Sequence, residues 1–122
     1  MNNKYNTLGR IYAIYEVVLS QSNIKMHPFE QFWRIPCICI SHAEELCHQG
    51  NVLRNYEKYI VRLDELFSTL DKIPENFPDE RAKSDMITGY YSERFRMNNR
   101  WPVIRRDCRD STVPFSDYVP YI

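Results

Sequence analysis

The chain has 122 residues, enough for one domain with a real core and too few for a second. Sixteen Lys and Arg balance sixteen Asp and Glu, so the basic excess that marks a dedicated nucleic-acid binder is absent, and any such role must come from local placement of charge. With three glycines, 43% hydrophobic residues and no good run of alternating residues, the composition argues against a sheet protein and for an all-α fold.

No apolar run reaches the length of a membrane span, and the N-terminus lacks the basic start and apolar core of a secretory signal. Cysteines stand at 37, 39, 47 and 108. Three of them fall in one predicted helix, which is poor disulfide geometry, so they read as reduced thiols of a cytoplasmic protein.

The first predicted helix covers about residues 4–22, with Tyr5, Leu8, Tyr12, Tyr15, Val18 and Leu19 on one side and Ile11 and Ile14 widening the arc. Gly9 costs roughly 1 kcal/mol relative to alanine inside such a helix, so a close backbone approach by a neighbour is expected there. After a connection over residues 20–28, a second helical stretch covers residues 28–48, carrying Phe29, Phe32, Trp33, Ile35, Cys39, Ile40, Ala43, Leu46 and Cys47. Pro36 removes one hydrogen bond and crowds the preceding turn, predicting a kink or a short helix handing over to a longer one. Gly50 is expected to cap that helix and make it an antiparallel neighbour of the next.

Residues 51–72 carry the clearest period of the chain. Leu53, Tyr56, Ile60, Leu63, Phe67 and Leu70 form the apolar stripe, and Arg54, Lys58 and Arg62 line up opposite it at a spacing of four. Beyond a proline-bounded loop, Asp79 is placed to cap a fourth helix in which Ala82, Met86, Tyr90, Arg94 and Met97 recur. The expected architecture is a compact bundle of four main helices over residues 1–97, the second broken at Pro36. Residues 98–122, rich in aromatics and Arg and interrupted by Pro102, Pro114 and Pro120, read as an extended arm. The expected core comprises Leu8, Tyr12, Tyr15, Phe32, Ile35, Ile40, Leu46, Tyr56, Ile60, Leu63, Phe67, Met86 and Tyr90.

Catalytic chemistry finds little footing. Cys39, His42, Cys47 and His48 have metal-ligand chemistry but share one helix whose apolar face the core needs. No Cys-His pair comes with an orienting group and an oxyanion site, neighbouring carboxylates such as Asp64 and Glu65 diverge on a helix, and no phosphate-cradling glycine loop exists. The expectation is a protein without enzymatic activity and without a cofactor. Binding has more support: the Arg54, Lys58, Arg62 stripe and a second cluster of Arg94, Arg96, Arg100, Arg105, Arg106 and Arg109 suit phosphate oxygens, and the interleaved Tyr90, Tyr91, Phe95 and Trp101 suit stacking on unpaired bases. Pairing of these cations with Glu57, Asp64, Glu65, Glu93, Asp107 and Asp110 accounts for them equally well, and both readings stay open.

Several short motifs occur in a telling order: Leu8-Gly9-Arg10; Phe32, Arg34 and His42; Tyr56-Glu57-Lys58 with Ile60; Phe77-Pro78; and Gly89-Tyr90-Tyr91 with Arg94. Their order and spacing, over about residues 5–96, resemble the C-terminal region of the large subunit of type I-C CRISPR Cascade, a region also made separately as the small subunit. The resemblance implies a non-catalytic helical subunit, present in several copies, that holds backbone and large subunits together and steadies the guide RNA–target DNA duplex or the displaced single-stranded DNA. It implies nucleic-acid contact by Arg10, Arg34, Lys58 and Arg94, with Arg54, Arg62 and Arg96 extending the basic surface. Two other expectations stay beside it. One is a mobile-element mimic that occupies the small subunit's place and blocks the complex, for which the neutral charge and the arm are suited. The other is an unrelated helical interaction module.

Overall fold

The computed structural model describes residues 3–49, 52 and 56–100. Five helices stand among the described residues: α1 (Lys4–Ser20), α2 (Phe29–Arg34), α3 (Pro36–Cys47), α4 (Ile60–Ser68) and α5 (Glu80–Arg100). The described residues contain no strand, so the fold is the all-α bundle expected, with four longer helices.

Both ends of α1 are closed by local chemistry. Asn3 Oδ1 accepts from the amides of Tyr5 and Asn6 at 2.9 and 3.2 Å, satisfying two donors that the first turn leaves without partners. At the other end Asn23 adopts a φ of 60°. The Ile24 amide then reaches the Leu19 carbonyl at 3.0 Å and the Asn23 amide the Ser20 carbonyl at 3.1 Å, the bond pair by which a left-handed residue terminates a helix.

The bundle is built around α1, which packs against α5, α3 and α4. The α1–α5 crossing is unusually tight for a reason written at two glycines. A Cβ on Gly9 would stand 1.9 Å from the Met86 carbonyl oxygen, and one on Gly89 would stand 2.0 Å from the Asn6 carbonyl oxygen. Only glycine lets the two backbones meet this way. The close approach expected at Gly9 therefore exists, and Gly89 is its counterpart on the other helix.

Pro36 ends the short helix and begins the longer one. It occupies the first turn of α3, where its missing N–H costs nothing, while Ile35 leaves helical geometry at φ −142° and ψ 62°. The Tyr12 ring packs edge-on against Phe29, Phe32 and Tyr90 at centroid distances of 5.0, 5.0 and 5.7 Å, tying α1, α2 and α5 together. The loop before α5 is pinned by the Phe77 amide, which donates to the Trp33 carbonyl at 2.9 Å. Asp79 Oδ1 accepts from the Ala82 amide at 2.8 Å, the expected cap of α5. Of the expected core, Leu8, Tyr12, Tyr15, Phe32, Ile40, Tyr56, Leu63, Met86 and Tyr90 are buried, and Ile35, Leu46, Ile60 and Phe67 are partly buried against them.

Three expectations are corrected. Residues 51–72 are not one helix: Glu57–Tyr59 form a turn, closed by the Tyr59 amide on the Tyr56 carbonyl at 2.8 Å, and α4 follows. Such a tight turn aligns side chains three apart, so Tyr56 and Tyr59 are buried together, and the buried stripe runs through Tyr59, Leu63 and Leu66. The helix stops at Ser68 because the Ser68 and Thr69 hydroxyls take the carbonyls of Glu65 and Leu66 at 2.7 and 2.8 Å. Lys58, in that turn, and Arg62, on α4, consequently do not share one helix, and the expected stripe of cations is interrupted between them. Lastly, α5 continues past Met97 to Arg100, the last position before the residue that precedes Pro102 and is thereby biased away from helix. Gly50, Arg54 and residues 101–122, on which a cap, a phosphate contact and most of the arm were expected, lie outside the described residues.

Candidate functional site

Three of the side chains expected to meet nucleic acid are organised by one carboxylate. On α5 the stripe facing α1 runs through Ala82, Met86, Gly89, Tyr90 and Met97, and Glu93 occupies the same stripe at 0% exposure. A buried carboxylate must be paired. Arg62 from α4 donates Nε–H to Glu93 Oε2 at 3.0 Å and Nη2–H to Oε1 at 2.8 Å. Arg10 from α1 adds Nη1–H to Oε1 at 3.2 Å, and Arg96, one turn along α5, reaches Oε2 at 3.4 Å. Burial pushes the Glu93 carboxyl up, but hydrogen bonds and charge from Arg62, then Arg10 and Arg96, more than offset it, so the net shift is downward. Arg62 is correspondingly raised by its hydrogen bond to Glu93.

The cluster is not electrically closed. Glu65 accepts from Arg62 Nη1 at 3.1 Å, leaving three guanidiniums against two carboxylates. Exposed edges of Arg10 and Arg62 line a polar groove of about 550 Å³ beside Asn6 and Thr69. Arg10 is further fixed by donating Nε–H to Asn6 Oδ1 at 2.9 Å.

A second, partly buried network joins α1 and α5. Arg94 Nη1 donates to Glu16 Oε1 at 2.8 Å, and the Tyr90 hydroxyl donates to the same oxygen. Burial first, then this bond to Glu16, raises the Tyr90 phenol well above its ordinary range.

Of the seven expected phosphate contacts, Arg10, Arg62 and Arg96 thus converge on Glu93, and Arg94 belongs to Glu16. Arg34, at the end of α2, and Lys58, in the turn before α4, are exposed. Neither belongs to the set of Arg10, Arg62 and Arg96 that gathers on Glu93, and Arg54 lies outside the described residues. Glu93 is among the carboxylates expected to pair with the arginines, and it does so with Arg96, but its place as the buried centre joining α1, α4 and α5 was not expected, and neither was the role of Glu16. The signal was there for Glu93, three positions after Tyr90 and four before Met97 on the apolar stripe.

Cys39 and Cys47 are buried free thiols, whereas His42 and His48 are exposed, so the four do not converge. Burial, with Glu44 nearby, pushes the Cys47 thiol up to about 11. Among the described residues no group of three or more His, Cys, Asp or Glu is arranged to hold a metal, and no helix is long and apolar enough to cross a membrane. No protein-family model, curated protein or solved structure matches this chain.

Proposed function

We propose that this chain is a non-catalytic, small-subunit-like component of a CRISPR Cascade-type RNA-guided complex, acting in the cytoplasm by seating itself against backbone and large subunits. The observation that supports this reading is the α1–α5 crossing. Gly9 and Gly89, each part of a motif carrying the resemblance, meet each other's helix and set the frame of the bundle. In this reading phosphate contact falls to the exposed Arg34 and Lys58, joined by Arg54 and by the outer edges of Arg10 and Arg62 along the groove.

A second reading is favoured by the internal pairing of Arg10, Arg62, Arg94 and Arg96 together with zero net charge. A protein that keeps a subunit-shaped frame while committing its cations to its own carboxylates is suited to occupy a place in the complex without holding DNA.

The experiment is reconstitution with a type I-C complex lacking its small subunit, followed by target-DNA binding across a salt series. Incorporation with restored DNA binding, lost in an Arg34→Glu, Lys58→Glu variant, is the result expected of a working subunit. Incorporation without DNA binding makes the chain an occupying inhibitor. Failure to associate removes both readings and leaves a helical interaction module.

A further inference from the structure

His27 and His42 are fifteen positions apart, one in the link between α1 and α2 and the other on α3. Their ring nitrogens nevertheless face each other, His27 Nε2 to His42 Nδ1, at 2.9 Å, with ring centroids 5.0 Å apart. We propose that these two imidazoles form a chelating site for a divalent transition-metal ion of the Zn²⁺, Ni²⁺ or Cu²⁺ class.

The spacing fits that chemistry. Two imidazole nitrogens each bound at about 2.0–2.1 Å stand roughly 2.9 Å apart for a right angle at the ion and about 3.3 Å apart for a tetrahedral one. The observed separation matches the lower edge of this range, and the two rings, whose facing nitrogens point at each other, must each turn by roughly 45° to aim both lone pairs at an ion beside the line joining them. His42 is exposed and His27 only partly buried, which leaves the site open to solvent.

The pair is also held by structure around it. The Tyr12 hydroxyl donates to the His27 carbonyl, anchoring the link to α1. His42 is carried on α3, whose buried face includes Cys39 and Ala43.

Without the ion, one N–H lies between the facing nitrogens. On binding, that proton moves to the outer nitrogen of the same ring. Both rings stay neutral, each keeping one N–H, and each facing lone pair forms one bond to the ion in exchange for a bound water. Water fills the remaining positions, since no third His, Cys, Asp or Glu joins the pair among the described residues. The ion would clip the α1–α2 link to α3 and stabilise the folded chain by binding it in preference to the unfolded one.

The test is calorimetric titration of untagged, full-length protein with ZnCl₂ and with NiCl₂ in a non-thiol reductant, paired with thermal unfolding. The readout is the difference between the native chain and His42→Ala, an exposed substitution. Native protein is expected to bind one ion that His42→Ala binds at least about tenfold more weakly, since even loss of an outer partner costs about that much. The midpoint should rise with metal in the native chain and not in that variant. His48→Ala and Cys37→Ser test the other exposed donors, His48 beside Glu44 and the Cys37 thiol, and should leave the binding unchanged. Absence of saturable binding to native protein, survival of native affinity in His42→Ala, or loss of the ion in either control overturns the proposal.

Discussion

Arg62 grips Glu93 with two prongs, Nε on one carboxylate oxygen at 3.0 Å and Nη2 on the other at 2.8 Å. The carboxylate is fully buried while the guanidinium keeps 23% of its side chain exposed. This asymmetry lets a cation from α4 hold an anion inside the α1–α5 interface, with its stem covering the interface from water.

Glu93→Gln keeps the side chain's shape and removes the charge. Three guanidiniums then lose their shared anion, and the amide's NH₂ faces donors. The expected loss is about 3 kcal/mol, the low end for breaking a buried ion pair, seen as a lower urea midpoint at unchanged slope. Arg96→Gln, removing only the 3.4 Å contact of a side chain that is 40% exposed, is expected to cost under about 1 kcal/mol. Equal stability of Glu93→Gln and the native chain would show that the cluster contributes nothing net.

The same carboxylate sets an acid limit. Burial raises it, yet Arg62, Arg10 and Arg96 together leave its folded value below the ordinary 4.5. The unfolded chain therefore takes up the proton first as pH falls. The contribution is fully present above the unfolded value, and it is lost as pH falls from about 4.5 through the folded value. Urea midpoints at about pH 7, 5 and 3.5 should show the gap between native and Glu93→Gln protein constant over the first interval and shrinking over the second. A gap independent of pH contradicts the assignment.

At the crossing, Gly9→Ala and Gly89→Ala are each expected to destabilise although alanine is the better helix former by about 1 kcal/mol. The added Cβ meets a carbonyl oxygen of the opposite backbone at 1.9 or 2.0 Å, and backbone cannot rotate away as a side chain can. Separating the helices should cost about 3 kcal/mol net, or roughly 10 °C in the thermal midpoint. A midpoint that rises in either variant would mean that the helices are not this close.

The two caps allow a smaller, cleaner measurement. Asn3→Ala and Asp79→Ala should each lose about 1 kcal/mol. The Asn3 change should cost somewhat more, since its Nδ2 also donates to Asp85 Oδ2 at 2.8 Å and so links the starts of α1 and α5. A double variant no worse than either single one would show that the two caps act as one unit.

Features fixed by neighbours in the chain were legible from the residues alone. The helical class, the hand-over at Pro36, the Asp79 cap and the need for a close approach at Gly9 all follow from local geometry. The break at Glu57–Tyr59 was not legible, because Tyr56, Tyr59 and Ile60 satisfy a continuous helix as well as a tight turn followed by a new one. The arginines were the least readable. Arg62 looks the same in sequence whether it faces solvent or Glu93, thirty-one positions away. Periodicity places a cation on a face, and only the packing of a third helix decides what that face meets.

The glycine crossing also bears on how the chain comes to be folded. Gly9 and Gly89 are eighty positions apart, so the contact that frames the bundle waits until eighty further residues have followed Gly9 out of synthesis. Until α5 leaves the ribosome, the side of α1 carrying Asn6, Gly9, Tyr12 and Glu16 lacks the helix that covers it in the finished protein. A long-range closure of this kind slows folding and leaves the nascent chain open to aggregation or to chaperone capture in the interval.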